Sequence, residues 1–126
     1  MLDHLRQHIA ATLAQARSAT LATLGPAGLQ AHVMPCAVSG IQIYLLLPRT
    51  SDHLLNLEHD PAVAVTTAEW QVRGQARVVS AAEWPDALGL ADAPGARWSK
   101  LIEITPTRVD IAQREGWGAA ETIDLE

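Results

Sequence analysis

Leu2, Leu5, Ile9, Leu13 and Ala16 recur at helical spacing, with Arg6, Gln7, Gln15 and Arg17 elsewhere around the wheel, so the chain opens on a predicted amphipathic helix. Beyond it the pattern shortens to that of strands. Ser18 to Leu24, rich in Thr, Ala and Leu, runs into Gly25-Pro26-Ala27-Gly28, then Leu29 to Val38, Ser39-Gly40 and Ile41 to Leu47. Apolar segments punctuated by Gly and Pro turns predict an antiparallel meander of three strands. In the third, Ile41, Ile43, Leu45 and Leu47 share one face and Gln42, Tyr44 and Leu46 the other, with Pro48 at its end.

Ser51 is placed to cap a short helix running through Glu58, and Asp60-Pro61 stops it, because a residue before proline avoids the helical region. Ala62 to Thr67 predicts a fourth strand. From Gln71 to Val79 the alternation is cleanest: Val72, Gly74, Ala76 and Val78 face one way, Gln71, Arg73, Gln75 and Arg77 the other. A short helix fits Ala81 to Leu90, with Pro85 in its first turn. Leu101 to Ile104 and Thr107 to Ile111 give a last pair of strand segments around Thr105-Pro106, and the tail after Gln113 is too poor in apolar residues to pack alone. About six strands joined by tight turns, with a few helices, make an α+β or barrel-type antiparallel fold. A doubly wound nucleotide fold is disfavoured, since neither GxGxxG nor GxxxxGK[ST] occurs and the strands do not alternate with helices.

Length and charge narrow the function. A chain of 126 residues fits one domain, spanning 1–126, with one site. A formal net charge of -5 argues against general binding to a phosphate backbone, so nucleic acid is not an expected partner. No apolar run approaches the ~20 residues that span a bilayer, and the first residues lack the apolar core of a secretory signal. The expectation is a cytoplasmic protein without a membrane partner.

Several residues invite a chemical reading that an ordinary structural one outweighs. Cys36 stands alone, which excludes an intrachain disulfide, and no adjacent cation activates it; it reads as a small core residue. His4 and His8 are four apart, but no third ligand accompanies them, so they read as surface residues and no metal site is expected. Trp70, Trp84 and Trp98 read as barrel-end packing, and Arg73 and Arg77 as a solvated strand face. There is no nucleophile elbow or triad.

The order of several segments resembles the pyridoxamine 5'-phosphate oxidase-like split barrels. These are Ala19 to Gly25 with its Gly-Pro-Ala-Gly turn, His32-Val33-Met34-Pro35, Ile43 to Leu47, Ser51-x-His53-x-x-Asn56-Leu57, Asp60-Pro61, Val72 to Val78, and Ile104 to Val109. The ending from Glu115 to Asp124 looks like the tail of a bacterial branch of that family. The resemblance implies a six-stranded antiparallel split β-barrel with an N-terminal helix and short peripheral helices. It further implies a homodimer holding FMN at the subunit interface, acting as an oxidoreductase on an unassigned substrate.

Family members hold the FMN phosphate with basic and hydroxyl residues after the third strand, which here offers Arg49, Thr50, Ser51, His53 and Asn56. Hydroxyls, a forked cation and the N–H groups of a helix start all suit a phosphate. His32, Val33, Met34 and Pro35 would back the isoalloxazine ring, or simply pack. Trp117 would cover the flavin or the partner subunit, or anchor the tail. The chain departs from the family where an Arg-Lys pair commonly follows the serine: Asp52 and His53 stand there, one negative and one mostly neutral near pH 7. The departure supports the alternative of a non-catalytic binding or sensor barrel, with weak flavin binding or another ligand such as heme. No counterpart of the C-terminal substrate-binding arginine motif is recognisable, so oxidation of vitamin B6 is not assigned.

Overall fold

The first helix, α1, spans Leu2–Leu13 in the computed structural model, which describes residues 2–80, 83–85, 95–113 and 116–125, the side chains of residues 2 and 116–119 excepted. Ile9 and Leu13 of its apolar stripe are fully buried against the barrel. Strands β1 (Ser18–Thr23), β2 (Gln30–Ser39) and β3 (Gln42–Pro48) form the expected meander. The two turns between them use Gly28 at φ 84° and Gly40 at φ 61°, in the left-handed region where only glycine is unstrained. Then come α2 (Asp52–His59), β4 (Ala62–Thr66), β5 (Trp70–Val79), a 3-10 turn at Ala96–Trp98, β6 (Ser99–Gln113) and β7 (Gly116–Asp124). The helix expected over residues 81–90 lies almost wholly outside the described residues.

The strand order is β3-β2-β1-β4-β5-β6-β7, and β3 also pairs with β6, so six antiparallel strands close into a barrel and β7 lies outside the closure. The main core fills the barrel: Leu21, Ile43, Leu45, Leu47, Val65, Val72, Ile102, Ile104 and Val109 are all fully buried or nearly so. Closure leaves unpaired only the stretch of β2 before Cys36 and the second half of β6, and β7 covers the latter.

Both faces of β3 are buried. Ile43, Leu45 and Leu47 point into the barrel as their alternation predicts, while Tyr44 and Leu46 join a second apolar cluster on the outside with Ala37, Val79, Ala96 and Leu101, against which Trp84 packs. The same cluster revises the reading of β5. Val79, on the outward phase of the strand, is buried beneath it, while Val78, on the inward phase, is left exposed beside α2. Trp98 also departs from expectation: it is 67% exposed, its ring facing the Arg97 guanidinium at 5.4 Å rather than packing a barrel end. Cys36 is buried in the core, where desolvation pushes its thiol up to about 11, as an inert apolar side chain requires.

The two strand segments expected around Thr105-Pro106 are one strand. Pairing shifts register there: Gly74 faces Pro106 and Arg73 faces Arg108, leaving Thr107 as the extra residue of a bulge. The bulge accommodates a proline that has no N–H to give. It also bends β6, whose first half pairs with β3 and whose second half pairs with β7. The tail is therefore a strand despite its polar composition. It takes its hydrogen bonds from β6 and buries Ile123 in the core.

Candidate functional site

Pairing between β2 and β3 extends only from Ser39↔Gln42 to Cys36↔Leu45. Past that point β3 pairs with β6 and runs into the α2 loop, while residues 30–35 of β2 pair on the β1 side alone. Helix α2 closes this part of the barrel, and the candidate site residues gather around it.

The loop is built as its sequence suggests. Pro48 ends β3, its carbonyl accepts the Ser51 N–H at 2.9 Å, and the Arg49 N–H donates to the Trp98 carbonyl at 2.9 Å. Ser51 has extended backbone and caps α2, its hydroxyl accepting from the His53 N–H at 3.2 Å. Arg49 and Thr50 are exposed, and among the described residues the Arg49 guanidinium has no carboxylate partner. Asp52 faces solvent in the first turn, where a carboxylate favours the helix dipole.

His53 and Asn56 do not join Arg49 on the surface. They are 1% and 0% exposed, on the face of α2 that meets the barrel. The Asn56 carboxamide accepts from the Ala27 N–H at 2.9 Å and donates to the Gly28 carbonyl at 2.9 Å and to the Thr23 hydroxyl at 3.0 Å. Thr23 Oγ1 lies 2.7 Å from His53 Nδ1, and His53 Nε2 lies 3.0 Å from His32 Nδ1, the two rings standing edge to face. Thus three of the anticipated site residues, His32, His53 and Asn56, are brought together, but by one another and by Thr23 rather than around an open seat. Thr23 was not anticipated. Its signal was a polar residue on the inward phase of β1, following Ala19 and Leu21, where an apolar one would be expected.

Burial lowers the pKa of His53, the neighbouring His32 lowers it further, and Asp52 opposes them. A histidine held neutral in the fold while the unfolded chain protonates near pH 6.5 makes the unfolded state bind more protons, so stability falls as pH drops below that value. The melting temperature is expected to decrease between about pH 7 and pH 5, and His53→Gln to flatten that decrease. A profile equally steep in the variant would assign it to other groups.

On β2, Met34 points into the core, whereas Val33, 68% exposed, and Pro35, also exposed, share the opposite face of the strand. Val33 borders a cavity of about 680 Å³ lined also by Arg17, Thr20, Thr66, Glu69 and Trp70, and by none of the α2 loop residues. Trp117 lies on β7, its side chain outside the described residues. His8 is a surface residue, 3.4 Å from Glu121 of β7.

A closed six-stranded antiparallel barrel, parted between β2 and β3 and stoppered there by a capped helix, defines a split β-barrel protein. The family profile described as pyridoxamine 5'-phosphate oxidase matches residues 5–113. The chain belongs to that family. No curated protein matches it. Among solved structures it is similar to general stress protein 26 from Bacillus anthracis (TM-score 0.68, 20% identity, covering 97% of this chain and 99% of that one). It is also similar to a putative pyridoxamine 5'-phosphate oxidase from Listeria innocua (TM-score 0.68, 16% identity, 85% and 97%) and to a heme binding protein from Mycobacterium smegmatis (TM-score 0.69, 21% identity, 95% and 56%). At these identities the likeness speaks for the fold. Among the described residues no helix is long and apolar enough to cross a membrane.

Proposed function

We propose that the chain is a homodimeric FMN-binding oxidoreductase of this family, with the flavin phosphate at the start of α2 and the ring against β2. The observation that carries the reading is the loop before α2: an arginine free of carboxylate partners among the described residues, the hydroxyls of Thr50 and Ser51, and a helix N-terminus lie in sequence. The donor set fits a phosphate as a hydrogen-bonding seat with a single firm cation, because His53 is turned inward and held neutral. Beside it, residues 30–35 of β2 have backbone groups without a strand partner on the β3 side, a suitable edge for the heteroatoms of a flavin. Leu24, Leu29 and Val33 expose apolar surface on the β1–β2 hairpin, where a second subunit would cover it.

Bound FMN would supply the redox chemistry, and the chain would supply orientation and shielding from water. The test is a visible-absorption titration of the purified protein with FMN beside an Arg49→Ala variant. Saturable binding is expected, weakened about 10- to 100-fold in the variant, the range for a charge-assisted hydrogen bond worth ~1.5–3 kcal/mol. The inward His53 and the Asp52 charge favour a second reading, a non-catalytic barrel for another ligand. No saturation at near-millimolar FMN, together with saturable binding of hemin, would select it.

A further inference from the structure

Backbone partners fix the direction of the Asn56 hydrogen bonds around α2, and the order of the rest follows from placing the Thr23 hydroxyl hydrogen. Two backbone groups pin the Asn56 carboxamide: its oxygen must face the Ala27 N–H, and its nitrogen must face the Gly28 carbonyl. The second amide hydrogen then goes to Thr23 Oγ1, which is an acceptor there and has one hydrogen of its own to place. His53 Nδ1 lies within reach at 2.7 Å, and the order that gives this hydrogen an acceptor in the network is the one in which that nitrogen accepts. A neutral imidazole whose Nδ1 accepts carries its proton on Nε2, and that proton points at His32 Nδ1, 3.0 Å away. His32 Nδ1 is in turn an acceptor, so neutral His32 carries its proton on Nε2, away from His53, on an exposed residue of β2's unpaired edge.

From this geometry we infer that His32 is a ligand-facing hydrogen-bond donor, selecting for an acceptor atom such as a carbonyl, ring nitrogen or phosphate oxygen, and that Asn56, Thr23 and His53 are positioning residues that fix its tautomer. The opposite order would turn the Thr23 hydroxyl hydrogen away from every acceptor in the network and direct the His32 Nδ1 proton inward, leaving a bare Nε2 to meet the ligand. A ligand atom opposite His32 would then have to donate rather than accept. The inference rests on the proposed site for the identity of the ligand, but the tautomers are a property of the free chain.

The experiment is long-range ¹H–¹⁵N correlation of the histidine rings in the ¹⁵N-labelled protein without ligand at about pH 8, where unperturbed histidines are neutral, followed by addition of FMN. Both His32 and His53 are expected as the Nε2-protonated tautomer, with the His32 Nε2 resonance moving as FMN binds. Thr23→Val should mix the tautomers of both rings and weaken FMN binding about tenfold, equivalent to ~1.4 kcal/mol, and Thr23→Ser, which keeps the hydroxyl, should restore both. An Nδ1-protonated His53 in the wild type, or tautomers unmoved by Thr23→Val in a folded variant, would overturn the relay. An unmoved His32 resonance at FMN saturation would overturn its role as donor. Should FMN fail to bind while the tautomers are as expected, the flavin reading falls; inorganic phosphate is then the acceptor probe, and an unmoved His32 resonance with phosphate would overturn the donor role as well.

Discussion

Asn56→Ala is expected to destabilise the chain by about 3 kcal/mol, measured as a drop in urea midpoint at unchanged slope. The side chain is fully buried and holds three partners from two elements: the Ala27 N–H, the Gly28 carbonyl and the Thr23 hydroxyl. Truncation removes three hydrogen bonds, each worth about 0.5–1.5 kcal/mol net, although the Thr23 hydroxyl keeps His53 and water can reach the half-buried Ala27 and the exposed Gly28. The packing is as close as the bonding. A Cβ at Gly25 would lie 2.7 Å from Asn56 Oδ1 and 2.9 Å from Asn56 Cα, so the β1–β2 turn is fitted around this residue. Asn56→Asp should do no better, since a carboxylate keeps the bond from Ala27 but opposes the Gly28 carbonyl. A loss below about 1 kcal/mol would show that α2 is held by its apolar contacts alone.

Gly74→Ala should cost about as much, roughly 3 kcal/mol, at the upper end for overpacking, and should lower the melting temperature accordingly. Its Cβ would fall 2.5 Å from the Thr105 carbonyl oxygen and 3.0 Å from Ile104 Cγ2. The nearer obstacle is backbone and cannot turn aside, so β5 and β6 would have to separate where the bulge already shifts their register. Gly28→Ala provides the contrast. It meets nothing within 4 Å and suffers only from a left-handed φ of 84°, worth about 1 kcal/mol. If the two substitutions cost the same, the close approach at Gly74 would not be what requires glycine there.

The parts of the fold that sequence could foretell are those whose information is local. The Ser51 cap, the stop at Asp60, the glycine turns and the period-two alternation of β5 up to Arg77 each depend on a residue's own backbone preference or phase. Where a neighbour distant in sequence decides, the pattern misleads. Val79 is buried because Ala96 and Leu101 arrive over it, and β7 exists because β6 offers a free edge, not because the tail carries enough apolar residues.

The site divides in the same way. Arg49, Thr50 and Ser51 fall where a loop before a capped helix must put them. His53 and Asn56 are three apart and share one face of α2, which was visible, but polar residues on a short helix read as water- or ligand-facing unless the opposite wall is known to be polar too. That wall is Thr23, His32 and the turn at Ala27 and Gly28, assembled from residues 21 to 33 positions away. The same network turns His53 away from the proposed phosphate seat, so that Arg49 is the cation its loop supplies.

Native mass spectrometry of the purified chain after addition of FMN tests this account most directly, because it reads subunit count and flavin count in one spectrum. The expected species is a dimer carrying two FMN molecules, with the flavin lost before the dimer separates in the Arg49→Ala variant. A monomer, or a dimer that takes up no FMN at concentrations near millimolar, would contradict it.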